Sequence, residues 1–354
     1  MTRGGTKDIQ VNRSKRRLPA EWEEQDGVLM AWPHARTDWA PDLDAVRRVT
    51  VDIAREITKS ERLVVVAPNP EDARRSMRDG GVSLDRVQFH SVETNDTWAR
   101  DFGPITVMEN SEPILLDFGF NGWGLKFASD LDNQITRNLG QCGAFGKNRL
   151  ETVGFVLEGG SIESDGRGTV LTTSQCLLSP NRNPHMRRED ITAFLSEKLG
   201  AERILWIENG HLEGDDTDAH IDTLARFCPY DTIAYTACDD PSDEHYGPLR
   251  EMAAELKSFR TPEGRPYKLV PLPWPAACHD ENGQRIPATY ANFLIINGSV
   301  LVPTYGSKQD AVALDAIREV FPDRRVAGVH CLPLLVGRGS LHCITMQIPK
   351  GVLA

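Results

Sequence analysis

The stretch GDDTDAHIDTLARF (214–227) passes from a dense acidic run into an apolar tail, and the reading of that change decides the fold. Asp215, Asp216, Asp218, His220 and Asp222 crowd its first nine residues. If the tail is a strand, the two-residue period puts His220 and Asp222 on one face, an acid/base group beside a carboxylate. A divalent-metal site and a solvated acidic loop are the rival readings of the same residues. Four other segments make the same passage from polar or Gly-rich residues into a strand: NDTWARDFGP around Asp96, LEGGS around Glu158, YANFLIING around Asn292 and GSLHCITMQ around Cys343. The five anchors lie 62, 62, 72 and 51 residues apart. That spacing suggests five units placing their strand ends around one centre; the alternative is five unrelated polar loops.

Between these segments, short β-branched runs such as RLVVVA (62–67), PILLDF (113–118), RILWIE (203–208) and HCITMQI (342–348) alternate with amphipathic helices. The helices are expected at about Asp42 to Lys59, Asp130 to Leu139, Arg188 to Leu199, Tyr246 to Phe259 and Ser307 to Val320, the last opening as a Ser-x-x-Asp capping box. The class is α/β. No low-complexity linker divides residues 1–354, which read as a single domain whose basic residues 1–20 form a flexible N-terminal segment.

With 40 Lys and Arg against 51 Asp and Glu, the net charge of −11 disfavours nucleic acid and suits a cationic ligand. No apolar run approaches the roughly 20 residues needed to cross a bilayer, and none follows the basic N-terminus as a secretory signal requires. Seven scattered cysteines, none in CxxC spacing, suggest neither a disulfide framework nor a zinc site, so the cytoplasm is the expected compartment.

Cys343 follows the Gly-rich turn Gly337-Arg338-Gly339 and opens a strand. A strand cysteine is usually a small buried hydrophobe, but a distant His with carboxylates is the arrangement expected around a cysteine nucleophile. His342, its neighbour, would then point to the opposite face and be a poor base. Cys176, Cys228 and Cys331 lack such surroundings and read as core. In NDTWARDFGP, Asp96 and Asp101 stand around Trp98 and Arg100, and an Arg–Asp pair could brace the Gly-Pro turn. The glycines after Glu158 leave room for a ligand or a neighbouring backbone. There is no P-loop, HExxH or GxGxxG string.

Taken together, AWPHARTDW (31–39), NDTWARDFGP, LEGG, TTSQCLLSPNRNP (172–184), GDDTDAHIDTLARF, YANF and SLHCITMQ resemble the agmatine deiminase and bacterial-type peptidylarginine deiminase family, among the guanidino-group-modifying penteins. The resemblance spans nearly the whole chain. It implies a pentein fold, a five-fold pseudosymmetric α/β propeller with a central active site. It also implies a nucleophile at Cys343, an acid/base at His220, guanidinium-binding carboxylates at Asp96 and Asp222, and an acidic partner at Glu158. Asn292 is grouped with the substrate contacts. The implied reaction is hydrolytic deimination through an S-alkylthiouronium, needing no metal or cofactor. Agmatine is the leading substrate, with peptidylarginine or free arginine next; an amidinotransferase and a noncatalytic binding protein are further alternatives. The partner expected is therefore a small cationic guanidino compound, not nucleic acid or membrane, with homo-oligomerisation left open. Trp98 and Asp216 are candidates to hold the substrate's far amine, or else pack in the core and face solvent. Arg338 stands where the family usually has glycine, and near the entrance it would favour a carboxylate-bearing substrate.

Overall fold

The computed structural model describes residues 16–353. Its organising feature is one connectivity used five times. Each time a short strand pairs antiparallel with the next, and a helical crossover delivers a third strand parallel to the second. Three of these sheets are Ala225–Cys228, Thr232–Thr236 and Lys268–Leu272; Ile162–Ser164, Thr169–Thr173 and Arg203–Ile207; and Leu294–Ile296, Ser299–Thr304 and Arg325–His330. A fourth uses Ile105–Glu109, Glu112–Gly119 and Arg149–Val156, with Arg16–Arg17 added at its edge. The fifth joins the two ends of the chain: Met346–Pro349 pairs antiparallel with Gln25–Ala31, which runs parallel to Arg62–Ala67 and then Val87–Ser91. A small ladder, Cys278–His279 with Arg285–Ile286, stands apart.

The crossover helices cover the sheets because their apolar residues recur at helical spacing. In Leu43–Ile57, the buried face is Val46, Val49, Ile53 and Ile57, while Arg47, Arg48 and Asp52 look outward. Truncating Ile53, which is wholly buried, to Ala would cost about 2–5 kcal/mol. The strand Arg62–Ala67 reads as an unbroken apolar run because it is flanked on both edges by parallel partners and covered on both faces. The helix expected from Ser307 begins at Asp310. The Asp310 carboxylate instead accepts the N–H groups of Tyr305 and Gly306, so no capping box forms.

Every antiparallel entry strand follows a tight turn, and the five signature segments are those turns. They are Ala99–Phe102, Gly159–Ser161, Ile221–Thr223, the residues 290–293 and the residues 341–344. This corrects two expectations. His220 and Asp222 do not lie on a strand, and the strand expected over 342–348 begins only at Met346. The expected flexible segment 1–20 is also revised where it is described. Arg16 pairs with Glu109 and Glu151, and Pro19 and Ala20 are buried. Residues 1–15 lie outside the described residues. Among those described, no helix is long and apolar enough to cross a membrane.

Candidate active site

Turns carry side chains that a regular strand would send to opposite faces, and here three of the five converge on one cavity of about 190 Å³. Asp96, Trp98 and Asp101 reach it from the first, His220 and Asp222 from the third, and Cys343 from the fifth; Asp216, Trp123 and Arg338 complete the wall. Gly160 supplies the room. A Cβ there would stand 2.6 Å from His220 Nδ1, 2.9 Å from Asp101 Oδ1 and 3.2 Å from Asp222 Oδ2. No side chain fits, which is the physical content of the paired glycines after Glu158.

The acidic stretch sorts into separate tasks. Asp215 caps the turn, accepting from Thr217 N at 3.0 Å and Ala219 N at 2.7 Å, and this steers Asp218 and Ala219 into left-handed backbone. Asp218 pairs with Lys126 and Arg182. Asp216 faces the cavity, its pKa pushed up to about 6 by burial and by Asp215. Asp222 is wholly buried. Its Oδ2 accepts from Asn292 Nδ2 at 3.2 Å and lies 2.7 Å from His342 Nδ1 and 3.8 Å from Cys343 Sγ, while its Oδ1 has no partner. His220 sets Nδ1 3.6 Å from Asp101 Oδ1 and leaves Nε2 unpartnered. Burial disfavours the His220 imidazolium, but Asp101, Cys176 and Glu158 outweigh it and hold its pKa well above 6.5.

Asp101 is a cavity residue to which the reading of the sequence assigned no place in the site. It does not brace Arg100, which turns away to Gln347 and to the carbonyl of His342. Asp101 accepts from Trp123 Nε1 at 2.9 Å and Gly160 N at 3.0 Å, and burial pushes its pKa up to about 6. Asp96 also lines the cavity, but Thr97 N and Trp98 Nε1 occupy its oxygens, and its nearest acidic neighbours are Asp38 and Asp132 rather than Asp222. The signal was present in the same segment, five residues on.

Other expectations change in the same way. Glu158 and Asn292 do not line the cavity. Glu158 is clamped by Arg182 Nε at 2.8 and 3.0 Å, and Arg182 also takes the carbonyl of Thr217, so the pair buttresses the turn before His220. Asn292 is a brace: Oδ1 accepts from the N–H groups of His342 and Cys343, and Nδ2 reaches Asp222 and, at 3.3 Å, Cys343 Sγ. His342 sits on a turn, so it contacts Asp222 from the same side as Cys343 instead of pointing away. Trp98 is both buried against Trp39 and part of the cavity wall; a Cβ at Gly337 or Gly339 would strike these two indoles. Arg338, with φ +64°, donates to Gly214 O at 2.8 Å. Cys176, Cys228 and Cys331 are buried as expected, although Cys176 lies beside His220 and Glu158. Burial, with Asp222 and Asp101 facing it, raises the Cys343 thiol well above its usual range. The arrangement is a buried thiol and two carboxylates with a cationic histidine, and its unpartnered carboxylate oxygen, Asp222 Oδ1, is suited to a planar N–H donor.

Comparison with known proteins agrees with this chemistry. A Lactococcus lactis protein provisionally named an agmatine deiminase is 34% identical over 94% of this chain and 95% of its own. A Porphyromonas gingivalis structure provisionally named an arginine deiminase is 50% identical, with TM-score 0.90, covering 96% of this chain and 100% of that one. A cysteine-to-serine variant of the C. jejuni agmatine deiminase with substrate bound is 38% identical, with TM-score 0.89, covering 95% and 97%. Dimethylarginine dimethylaminohydrolase, 11% identical with TM-score 0.53 over 92% and 100%, shares the pentein fold alone. The model of the Porphyromonas-type peptidyl-arginine deiminase family matches residues 17–349, and the chain belongs to that family.

Proposed function

We propose that this protein is a hydrolytic deiminase converting agmatine and water to N-carbamoylputrescine and ammonia. The observation that carries the reading is the convergence of Asp101, Asp222, His220 and Cys343 on one cavity, with Asp222 Oδ1 and His220 Nε2 lacking partners. Asp101 takes the place that the sequence assigned to Asp96. A guanidinium lying between Asp101 and Asp222 is gripped through its N–H forks and oriented for attack. Its positive charge also offsets the two carboxylates that hold the Cys343 thiol protonated, so the thiol gives up its proton to solvent water as substrate binds. The thiolate adds to the guanidinium carbon. His220, already an imidazolium, protonates the departing nitrogen, and ammonia leaves an S-alkylthiouronium. Neutral His220 then takes a proton from water, hydroxide adds to the same carbon, and the thiolate departs, taking up the hydroxyl proton of the adduct so that the ureido product and the Cys343 thiol are left. The carboxylates stay opposite the retained positive charge throughout.

Agmatine is favoured by Asp216 and Trp98 in the cavity wall, which suit a distal ammonium, and by the named agmatine deiminases among the relatives. Arg338 beside that wall, and the 50% identity to the P. gingivalis protein, favour an arginine-bearing substrate as the second reading. The five sheets of equal connectivity also support five blades around a central site, with each signature turn at the inner end of a blade. The deciding experiment measures ammonia release and kcat/KM for agmatine, free arginine and a blocked arginine peptide. Agmatine should lead; an arginine form ahead by tenfold, about 1.4 kcal/mol, would reassign the substrate and leave the chemistry standing. Release that requires an added amine would mean amidino transfer instead.

A further inference from the structure

Behind Asp222 lies a second layer of charge, built by His342 and Arg226 with Glu21 and Glu163. His342 puts Nδ1 2.7 Å from Asp222 Oδ2 and Nε2 2.8 Å from Glu21 Oε2. Arg226 Nη2 lies 3.0 Å from the same Nε2 and 2.6 Å from Glu21 Oε2. Glu21 Oε1 accepts the N–H of Ile295 at 2.7 Å. Arg226 Nε is taken by Glu163, and Nη1 by the carbonyls of Ala291 at 3.1 Å and Phe293 at 2.6 Å. All of these side chains are buried. We propose that His342 and Glu21 are positioning residues for the deimination. Glu21 and Arg226 fix the imidazole, and its Nδ1–H holds Oδ2 of Asp222 so that Oδ1 alone is presented to the guanidinium.

The ring has two singly protonated forms, and the charges around it choose between them. With the proton on Nε2, Nδ1 and an ionised carboxylate oxygen would face each other as two acceptors at 2.7 Å, which is repulsive. With the proton on Nδ1, the ring donates to Asp222, and the bare Nε2, 2.8 Å from Glu21 Oε2, is compensated by the Arg226 Nη2 donor at 3.0 Å, a compensation that the Nδ1 end lacks; a doubly protonated ring donates to Glu21 as well. In both states Nδ1–H faces Asp222. The charged groups that face His342 are Asp222, Glu21, Arg226 and Arg100, with Glu163 behind Arg226 and His220 across from Asp222. A charge-assisted bond to one oxygen keeps the carboxylate ionised and stops its rotation. Oδ1 has no other partner, so the orientation of Asp222 rests on Oδ2.

The proposal depends on Asp222 being a guanidinium ligand, so wild-type turnover is measured first. Absence of ammonia from every guanidino compound would sink the functional reading by itself. The test then compares the full-length variants His342→Leu and His342→Gln across pH, with haloacetamidine labelling of Cys343 as a check on folding. Leu fills the space without a donor, whereas the Gln amide can still donate. For Leu we expect kcat/KM to fall by about tenfold, with the acid limb changed to a steeper decline, because Asp222 without its donor protonates more readily and its titration is added to that of Asp101. Gln should restore at least half of that loss on a logarithmic scale. A Leu variant within threefold of wild type with an acid limb of unchanged steepness would overturn the proposal. Should the Leu variant fail to fold, 15N NMR of the histidines in the wild-type protein decides. A proton on His342 Nδ1 throughout the active pH range supports the role, and a bare Nδ1 overturns it.

Discussion

Two buried charged clusters lie back to back in this protein, joined through His342, and they are built on opposite rules. Around Arg226 every charge is answered. The guanidinium has four oxygen acceptors, two of them carboxylates, and the carboxylate of Glu21 is answered in turn by Arg226 and a backbone N–H. Around Cys343 the charges are left open, with two carboxylates and a thiol against one histidine and with unpartnered atoms on Asp222 and His220. A buried charge without a partner costs several kcal/mol, so such a deficit persists only where a ligand of opposite charge completes it. The first cluster stitches turns from different sheets together, and the second is a cavity with the outline of a cation.

The sharpest break in the open cluster is Cys343→Ala. Ammonia release should fall by on the order of 10⁴-fold or more while the fold survives, and a haloacetamidine label should move off that residue by mass spectrometry. Substantial activity in this variant would remove the nucleophile from Cys343. In the closed cluster, Arg226→Met should cost about 3–5 kcal/mol of stability by denaturant unfolding, because Glu21 and Glu163 would remain buried without their cation. A loss below about 1 kcal/mol would mean that the pairing is not what holds the turns.

A finer test lies within the open cluster. Asp101→Asn and Asp222→Asn should each lower kcat/KM by about 10²-fold or more, and Asp96→Asn by clearly less, since only the first two face His220 and Cys343. Wild-type kcat/KM should decline on acidification through about 6, where the Asp101 carboxylate takes up a proton. Equal losses at Asp96 and Asp101 would return Asp96 to the guanidinium. The smallest effect concerns a carboxylate outside both clusters. Glu61 is buried with only Asn297 N as a partner for one oxygen, and burial pushes its pKa up to about 7. A carboxyl with a raised folded-state pKa contributes stability in its protonated form, and that contribution is lost as pH rises from about 4.5 through 7. Glu61→Gln should therefore flatten the fall in stability over that range and gain on the order of 2 kcal/mol at pH 8. Parallel melting curves for the two proteins would refute this.

The helices Arg188–Leu199 and Leu43–Ile57 could be read within a residue or two, as could the strand Arg62–Ala67, because helical and strand periods are written in consecutive residues. The strand Gln25–Ala31 went unread. Its QDGVLMA sequence carries Asp26-Gly27 near its start, a dipeptide that reads as a turn rather than a strand, and its pairing with Met346–Pro349 spans the whole chain.

The sequence by itself determined where the polar turns, the Gly-rich segment of Cys343 and the acidic stretch before Asp222 lie, since residue types and local spacing carry that information. Only the tertiary structure decided which carboxylate faces which atom. Asp101 and Asp96 are five residues apart in one turn, and a short helical turn over Ala99–Phe102 sends the former to His220 and leaves the latter beside Asp38. In the same way, the turn at 341–344 replaces the alternation of a strand and aims both His342 and Cys343 at Asp222. Glu21 illustrates the remainder. It meets His342 across 321 residues, and no local pattern can announce a contact made by the closing of the fold.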